Sequence, residues 1–285
     1  MTSCDQLIQH LQSRSDFKDP AWIQQLDARK REEIEFHNFD RETHDSSVVQ
    51  EQAKQDIHAN KKYYAITDSS SGWVNCWLET HARDRVFLDY ACGNGQRAIQ
   101  AARAGARLSI GLDISDVSIH NARDAARVAG VGDLCHFVQG DCEKTELPSE
   151  SIDTILCSGM LHHLDLDQAY PEMHRILKCG GRILGVEALG HNPAIQLYRN
   201  LTPHLRTKWE AKHILKTGDI QRAVPLFQRG ETRFWHLAVL AAVPFRNTPL
   251  FGPALSFGNA IDNALLSIPG VRLMAWQVTF ELIKP

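Results

Sequence analysis

FLDYACGNGQRA, residues 87–98, decides the fold, and it is open to two readings. Taken from Gly93, the run Gly93-Asn94-Gly95-Gln96-Arg97-Ala98 fits the G-x-G-x-x-G/A turn that carries a dinucleotide pyrophosphate, with Asp113 about 20 residues further on, where an acid would hold a ribose. Taken from Asp89, the same stretch is an acid at a strand end followed by a turn of small residues. The charge of whatever sits over the turn separates the two.

Outward from this stretch the chain alternates. Strands are expected at RVFLDY (85–90), RLSIGLD (107–113), LCHFVQGD (134–141), IDTILCSG (152–159) and GRILGVEA (181–188). Helices are expected from about Gly95 to Arg103, Asp116 to Ala129 and over 167–178. Strands separated by helices of this length predict an α/β fold with a doubly wound, Rossmann-like parallel sheet, whose ligands lie at the carboxyl ends of the strands. The site is therefore expected near residues 89–95, 113, 141 and 158.

Before this core, residues 1–80 read as a helical cap. Asp19-Pro20 is a helix start, an N-cap followed by proline, and AWIQQLDARKREEIEFHNF (21–39) continues it as one charged helix. Trp73 and Trp77 are four apart and share a helix face, which reads as core. Residues 81–285 form the second unit, with a core over 84–190 and additional elements over 191–230 and 239–268. After residue 190 the rhythm is lost. Late strands are expected at 232–239 and 272–283, and between them an insertion rich in Gly and Pro is apolar and expected to be helical.

The 285 residues are 43% hydrophobic and 23% charged, enough for a substantial core. Thirty-one basic against 34 acidic side chains give a net charge of −3, no overall footprint for nucleic acid. Seven cysteines, at 4, 76, 92, 135, 142, 157 and 179, contain no C-x-x-C pair, so neither a disulfide framework nor a zinc site is indicated, and a reducing cytoplasm is expected. The N-terminus lacks the apolar run of a secretory signal, and no stretch is long enough for a transmembrane helix.

At the end of the first strand, Asp89 would repel a pyrophosphate and attract a cation; one charge pair at about 4 Å and an effective dielectric near 20 is worth on the order of 4 kcal/mol before desolvation. This favours S-adenosyl-L-methionine, whose sulfonium and ammonium are both positive, over a nicotinamide dinucleotide. Asp113 accepts from two ribose hydroxyls in either reading and does not discriminate.

Four motifs in order, FLDYACGNG, GLDIS, QGDCEKTELPSESIDTILCSGMLHHL and ILKCGGRILGVE, resemble the class I S-adenosylmethionine-dependent methyltransferases, in particular their small-molecule and lipid-quinone branch, over residues 84–188. The resemblance implies that Asp89, Gly93 and Gly95 shape the methionine end, Asp113 takes the ribose, Asp141 meets the adenine amino group and Ser158 lines the floor beside the sulfur. Tyr90, Ala91, Asn94, Ile114 and Cys142, their neighbours, are expected at the same site. One departure is Ala91, where the family turn has glycine. If that position needs a positive φ, alanine adds strain of roughly 1 kcal/mol.

Methyl transfer from a sulfonium requires no metal intrinsically, and a base only where the acceptor must lose a proton. Base candidates are His37, His162 with its neighbour His163, His191 and Glu187, with packing as the alternative for the paired histidines. Arg199, Arg206 and Lys208 are candidates to hold an anionic group of the acceptor, a solvated helix face being the alternative. The insertion 239–268 is expected to be a lid over an apolar substrate, to contact a membrane surface, or to pack on the sheet. Together these imply a small, hydrophobic or amphiphilic acceptor, O-methylated in preference to C-methylated. A nicotinamide oxidoreductase and a catalytically silent cofactor-binding module are the other readings. A nucleic-acid substrate is disfavoured by the charge and by Ser158-Gly159-Met160-Leu161 standing where many base-methylating enzymes carry Asn-Pro-Pro-aromatic.

Overall fold

The computed structural model describes residues 3–13, 17–43 and 61–285. Seven strands, β1 (Val86–Tyr90), β2 (Leu108–Asp113), β3 (Cys135–Gln139), β4 (Ile152–Ser158), β5 (Leu177–Ala188), β6 (Gln228–Trp235) and β7 (Gln277–Ile283), form one sheet in the order β3-β2-β1-β4-β5-β7-β6. β1 to β5 pair in parallel, and β7 runs antiparallel to both β5 and β6. β1 and β2 are buried at every position, as continuous apolar strands covered on both faces must be. The strand order reverses between β1 and β4, so a crevice opens above their carboxyl ends. Register aligns those ends: Tyr90 lies between Leu112 of β2 and Cys157 of β4.

The helices are α1 (Ser3–Ser13), α2 (Pro20–Gln25), α3 (Ala28–Thr43), α4 (Lys61–Tyr64), α5 (Asp68–Ala82), α6 (Gln96–Arg103), α7 (Asp116–Val128), α8 (Leu166–Ile176), α9 (Pro193–Leu201), α10 (Thr217–Gln221) and α11 (Phe251–Leu265). The three crossover helices α6, α7 and α8 fall within a few residues of their sequence expectation. One expected helix is two: Asp19 caps α2 by accepting from Ala21 N, but Leu26 turns extended and Asp27 caps a second start, accepting from Lys30 N at 2.9 Å. The break frees α3 to take its own direction.

α1 buries Cys4, Leu7 and Leu11 in the main core, together with Leu88, Ile110 and Phe280 from the sheet. α5 packs on the sheet through Val74, Trp77 and Leu78, and Trp77 Nε1 donates to Glu281 of β7. Trp77 is core, whereas Trp73 is partly buried and packs against the edge of this cluster. Burying a leucine of this kind contributes about 2 kcal/mol.

The insertion after β6 consists of a 3₁₀ segment (Ala238–Phe245) and α11. Asp262, buried, accepts from Leu237 N and Ala238 N at the start of the 3₁₀ segment, and Gly258 lets α11 approach so closely that a Cβ would lie 2.7 Å from Val239 Cα. Val239, Ala242 and Val243 form a small core of their own with Ile66. β6 ends earlier than expected, because His236 takes a left-handed φ of 66° and turns the chain out of the sheet. No helix among the described residues is long and apolar enough to cross a membrane.

Candidate active site

The turn between β1 and α6 has φ values of 58° at Ala91, 52° at Gly93 and 76° at Gly95. Ala91 therefore stands in the left-handed region that glycine adopts without strain. Gly95 is required twice over, since a Cβ there would also lie 2.7 Å from the Phe137 ring. Asp89 lies beneath this turn rather than beside its ligand. It is buried, accepts from Ala98 N at 3.1 Å at the start of α6, and does not line the cavity above. Burial pushes its carboxyl up to about 7, which weakens the standing negative charge that the sequence argument requires. Tyr90 points away as well, its hydroxyl donating to the Cys142 carbonyl, and Asn94 is exposed beside Asn121.

Above the strand ends lies a cavity of about 250 Å³. Its floor is Ala91 to Gly93, Asp113 and Ile114, Asp141 and Cys142, and Ser158 to Met160; its roof is Arg29, Lys30, Glu33 and His37 of α3, and His163 and Leu164 close one end. Ala91, Gly93, Asp113, Ile114, Asp141, Cys142 and Ser158 are thus brought together as expected, whereas Asp89, Tyr90, Asn94 and Gly95 support the floor from outside the cavity.

Asp113 is held from two sides, Oδ2 accepting from Gly93 N at 2.8 Å and Oδ1 from Ser115 N at 2.9 Å, which fixes it at the mouth of β2. Asp141 Oδ1 accepts from Glu143 N, while Oδ2 is 2.7 Å from Lys30 Nζ. Lys30 also reaches Glu143 Oε2 at 2.7 Å. Burial opposes the charge on Lys30, but the two carboxylates outweigh it and raise its pKa. Arg29 adds Glu143 and the His163 carbonyl, each at 2.7 Å. Two adjacent cations of α3 therefore fasten it to the β3–β4 connection. Sequence reasoning missed both, because in ARKREE they look like any solvated helix face.

At the far end of the roof, Glu33 and His37 are one helical turn apart and meet His163. Glu33 Oε1 accepts from Thr207 Oγ1 at 2.5 Å, and Oε2 lies 2.8 Å from His163 Nδ1 and 3.4 Å from His37 Nε2. Burial works against the Glu33 charge, yet these hydrogen bonds hold its pKa well below the usual carboxylate range. Of the histidine pair, His163 faces the cavity. His162 instead pairs through Nδ1 with Glu187 Oε2 at 2.7 Å.

Glu187 is fully buried, and its Oε1 accepts from Met160 N and Leu161 N, so it shapes the turn after β4 rather than facing an acceptor. Burial disfavours the His162 cation, but Glu187 prevails and its pKa is raised. His191 is corrected too: its Nε2 accepts from Thr217 N at 3.1 Å, tying the loop after β5 to α10 away from the cavity.

The basic stretch is not one patch. Arg199 and Arg206 fold inward onto Glu210, at 3.5 and 3.4 Å, while Lys208 is exposed. Counting charges along the stretch suggests free cations, but two guanidiniums share one carboxylate: Glu210, the lone acid there, serves both. No residue of 239–268 lines the cavity either; α3 covers it.

Residues 88–185 match the family model described as a methyltransferase domain. The 27-O-demethylrifamycin SV methyltransferase of Amycolatopsis mediterranei (strain S699) is 34% identical over 131 residues, 45% of this chain and 46% of that protein. Protein arginine N-methyltransferase 1 of Schizosaccharomyces pombe (strain 972 / ATCC 24843) is 37% identical over 82 residues, 29% of this chain and 24% of that protein. The chain thus spans less than half the length of these curated relatives. Among solved structures, geranyl diphosphate methyltransferase in complex with S-adenosylmethionine superposes with a TM-score of 0.57 at 14% identity, over 79% of this chain and 91% of that one.

Residues 88–185 therefore carry a methyltransferase domain, and a protein that shares the fold, geranyl diphosphate methyltransferase, holds S-adenosylmethionine. The cavity suits that molecule. The carboxylates of Asp113 and Asp141, at the ends of β2 and β3, line it, and Gly159, with φ 67° and open space where a Cβ would stand, leaves the floor after β4 uncrowded. The nicotinamide reading of the G-x-G-x-x-A turn is set aside.

Proposed function

We propose that this protein transfers a methyl group from S-adenosylmethionine to a hydroxyl oxygen of a small, partly apolar acceptor bound under α3. The observation that carries this reading is the shared cavity, which Asp113 and Asp141 line together with Glu33, His37 and His163. The bound cofactor supplies an electrophilic methyl on a cationic sulfur. Asp113 and Asp141 bind its ribose and adenine. Ser158 to Met160 also line the cavity, and apolar Met160 and Leu164 exclude water from it. The polar groups at the α3 end orient the acceptor oxygen, and α3 acts as the part of the N-terminal cap that closes the site.

An enclosed roof favours a small molecule over a macromolecule, whose side chain or base would need an open approach. The anionic half of an amphiphilic acceptor loses its sequence argument now that Arg199 and Arg206 turn onto Glu210. Exposed Phe245, Leu250, Phe257 and Ile268 keep a peripheral membrane contact of the insertion open as a property of the same protein. The seven cysteines are unpaired, which fits a cytoplasmic setting.

The test has two readouts. Calorimetry should show S-adenosylhomocysteine binding, and labelled methyl from S-adenosylmethionine should enter the organic fraction of a source-cell extract. Binding with no labelled product in any fraction would make this a silent module, and label confined to macromolecules would overturn the small acceptor.

A further inference from the structure

The Glu33, His37 and His163 group is more than an acceptor wall. Their donor atoms all lie within 4.8 Å of one another, and His163 is shared with a second such group, His162 and Glu210. Two donors bound to a common first-row ion at about 2.1 Å each stand roughly 3.0–3.4 Å apart at octahedral or tetrahedral angles. Glu33 Oε2 lies 2.8 and 3.4 Å from the two imidazole nitrogens, spacings that bracket this range. Thr207 holds the other carboxylate oxygen, as the outer partner of a metal ligand does, and leaves Oε2 turned toward both rings.

Charge points the same way. Glu33 is 5% exposed, and among the described residues its ion pairs are with the two histidines, neither of which carries a permanent charge. Arg29 and Lys30, one turn before it on α3, are engaged by Glu143 and Asp141. A buried carboxylate facing two imidazoles and no fixed cation is a site that a divalent ion completes.

We propose that Glu33, His37 and His163 bind a divalent first-row transition ion in the manner of a two-histidine, one-carboxylate site, with its remaining positions facing the cavity. Two nitrogens and one oxygen select zinc, manganese, iron(II) or cobalt over calcium or magnesium. Three protein ligands leave room for an oxygen ligand, and an acceptor hydroxyl is the group the cavity presents. Held there, the hydroxyl loses its proton to water and its oxygen pair forms the new O–C bond, while the S–C pair stays on sulfur as a neutral thioether. That role rests on the methyltransferase reading; the metal binding does not.

Cobalt(II) is the probe, because its visible d–d absorption reports inner-shell nitrogen ligands without any turnover. Chelator-treated full-length protein should bind about one equivalent, competed by zinc, and Glu33→Gln or His37→Ala should weaken binding by at least about tenfold. Thermal melts and S-adenosylhomocysteine calorimetry on the same samples separate loss of the site from loss of the fold or of cofactor binding. Absence of the absorption up to millimolar cobalt(II), or an absorption unchanged in folded Glu33→Gln and His37→Ala, overturns the site even where cofactor binding is intact.

Discussion

Ala91 is a single methyl group in a place shaped for none. Its φ of 58° costs an alanine about 1 kcal/mol relative to glycine, so Ala91→Gly is expected to raise the unfolding free energy by about 0.5–1 kcal/mol with homocysteine-product affinity unchanged, as read by urea denaturation and calorimetry. Asp89 below it behaves as an acid whose folded pKa lies above its unfolded value, about 7 against 3.8. Such a group favours folding while protonated and opposes it progressively as pH rises from about 4 to 7, at about 1.4 kcal/mol for each pH step of one. Asp89→Asn should therefore stabilise the ligand-free protein by a few kcal/mol at pH 8 and by little at pH 4; equal effects at both would show that the carboxyl is not held neutral. Floor residues such as Gly93, Asp113 and Asp141 are legible in sequence because each sits at a strand end within a spaced motif. Glu33 is not, because it hides in a run of charges; the pair His162 and His163 is legible as a candidate, but which ring faces the cavity is not, since Glu187 sets it by holding His162.

α3 is the element that makes the crevice a site. Arg29 and Lys30 attach it through partly buried ion pairs whose removal leaves Glu143 without a cation among the described residues. Replacing both by alanine should speed S-adenosylhomocysteine dissociation by roughly tenfold, on the order of 1.4 kcal/mol, in a stopped-flow competition; an unchanged rate would mean that α3 does not gate the cofactor. Periodicity predicts helix here but merges α2 with α3, since it cannot see a break that Asp27 makes by capping a second start. The insertion shows the converse. Its apolar composition points correctly to helix, but composition does not tell which surface it covers, and Asp262 and Gly258 bind it to its own 3₁₀ segment rather than over the cavity.

For the molecule as a whole, the parallel core is readable from alternation, whereas the late strands depend on contacts with no local signature. His236, at the end of β6, is 1% exposed and hydrogen-bonded to Ser70 at 2.8 Å, and burial lowers its pKa to about 4. The unfolded chain then takes up a proton near pH 6.5 that the folded one refuses, so stability is lost as pH falls from 6.5 toward 4. Between pH 7 and 5 this loss should be about 2 kcal/mol, and it should vanish in His236→Asn, which tolerates the same backbone; parallel urea titrations of the two proteins decide it. Finally, Arg29, Lys30, Glu33 and His37 all line the cavity from two turns of one helix. Any ligand that settles this helix at one end prepares the other, so the two binding events are thermodynamically linked: the factor by which the cofactor product tightens the acceptor must equal the factor by which the acceptor tightens the cofactor product.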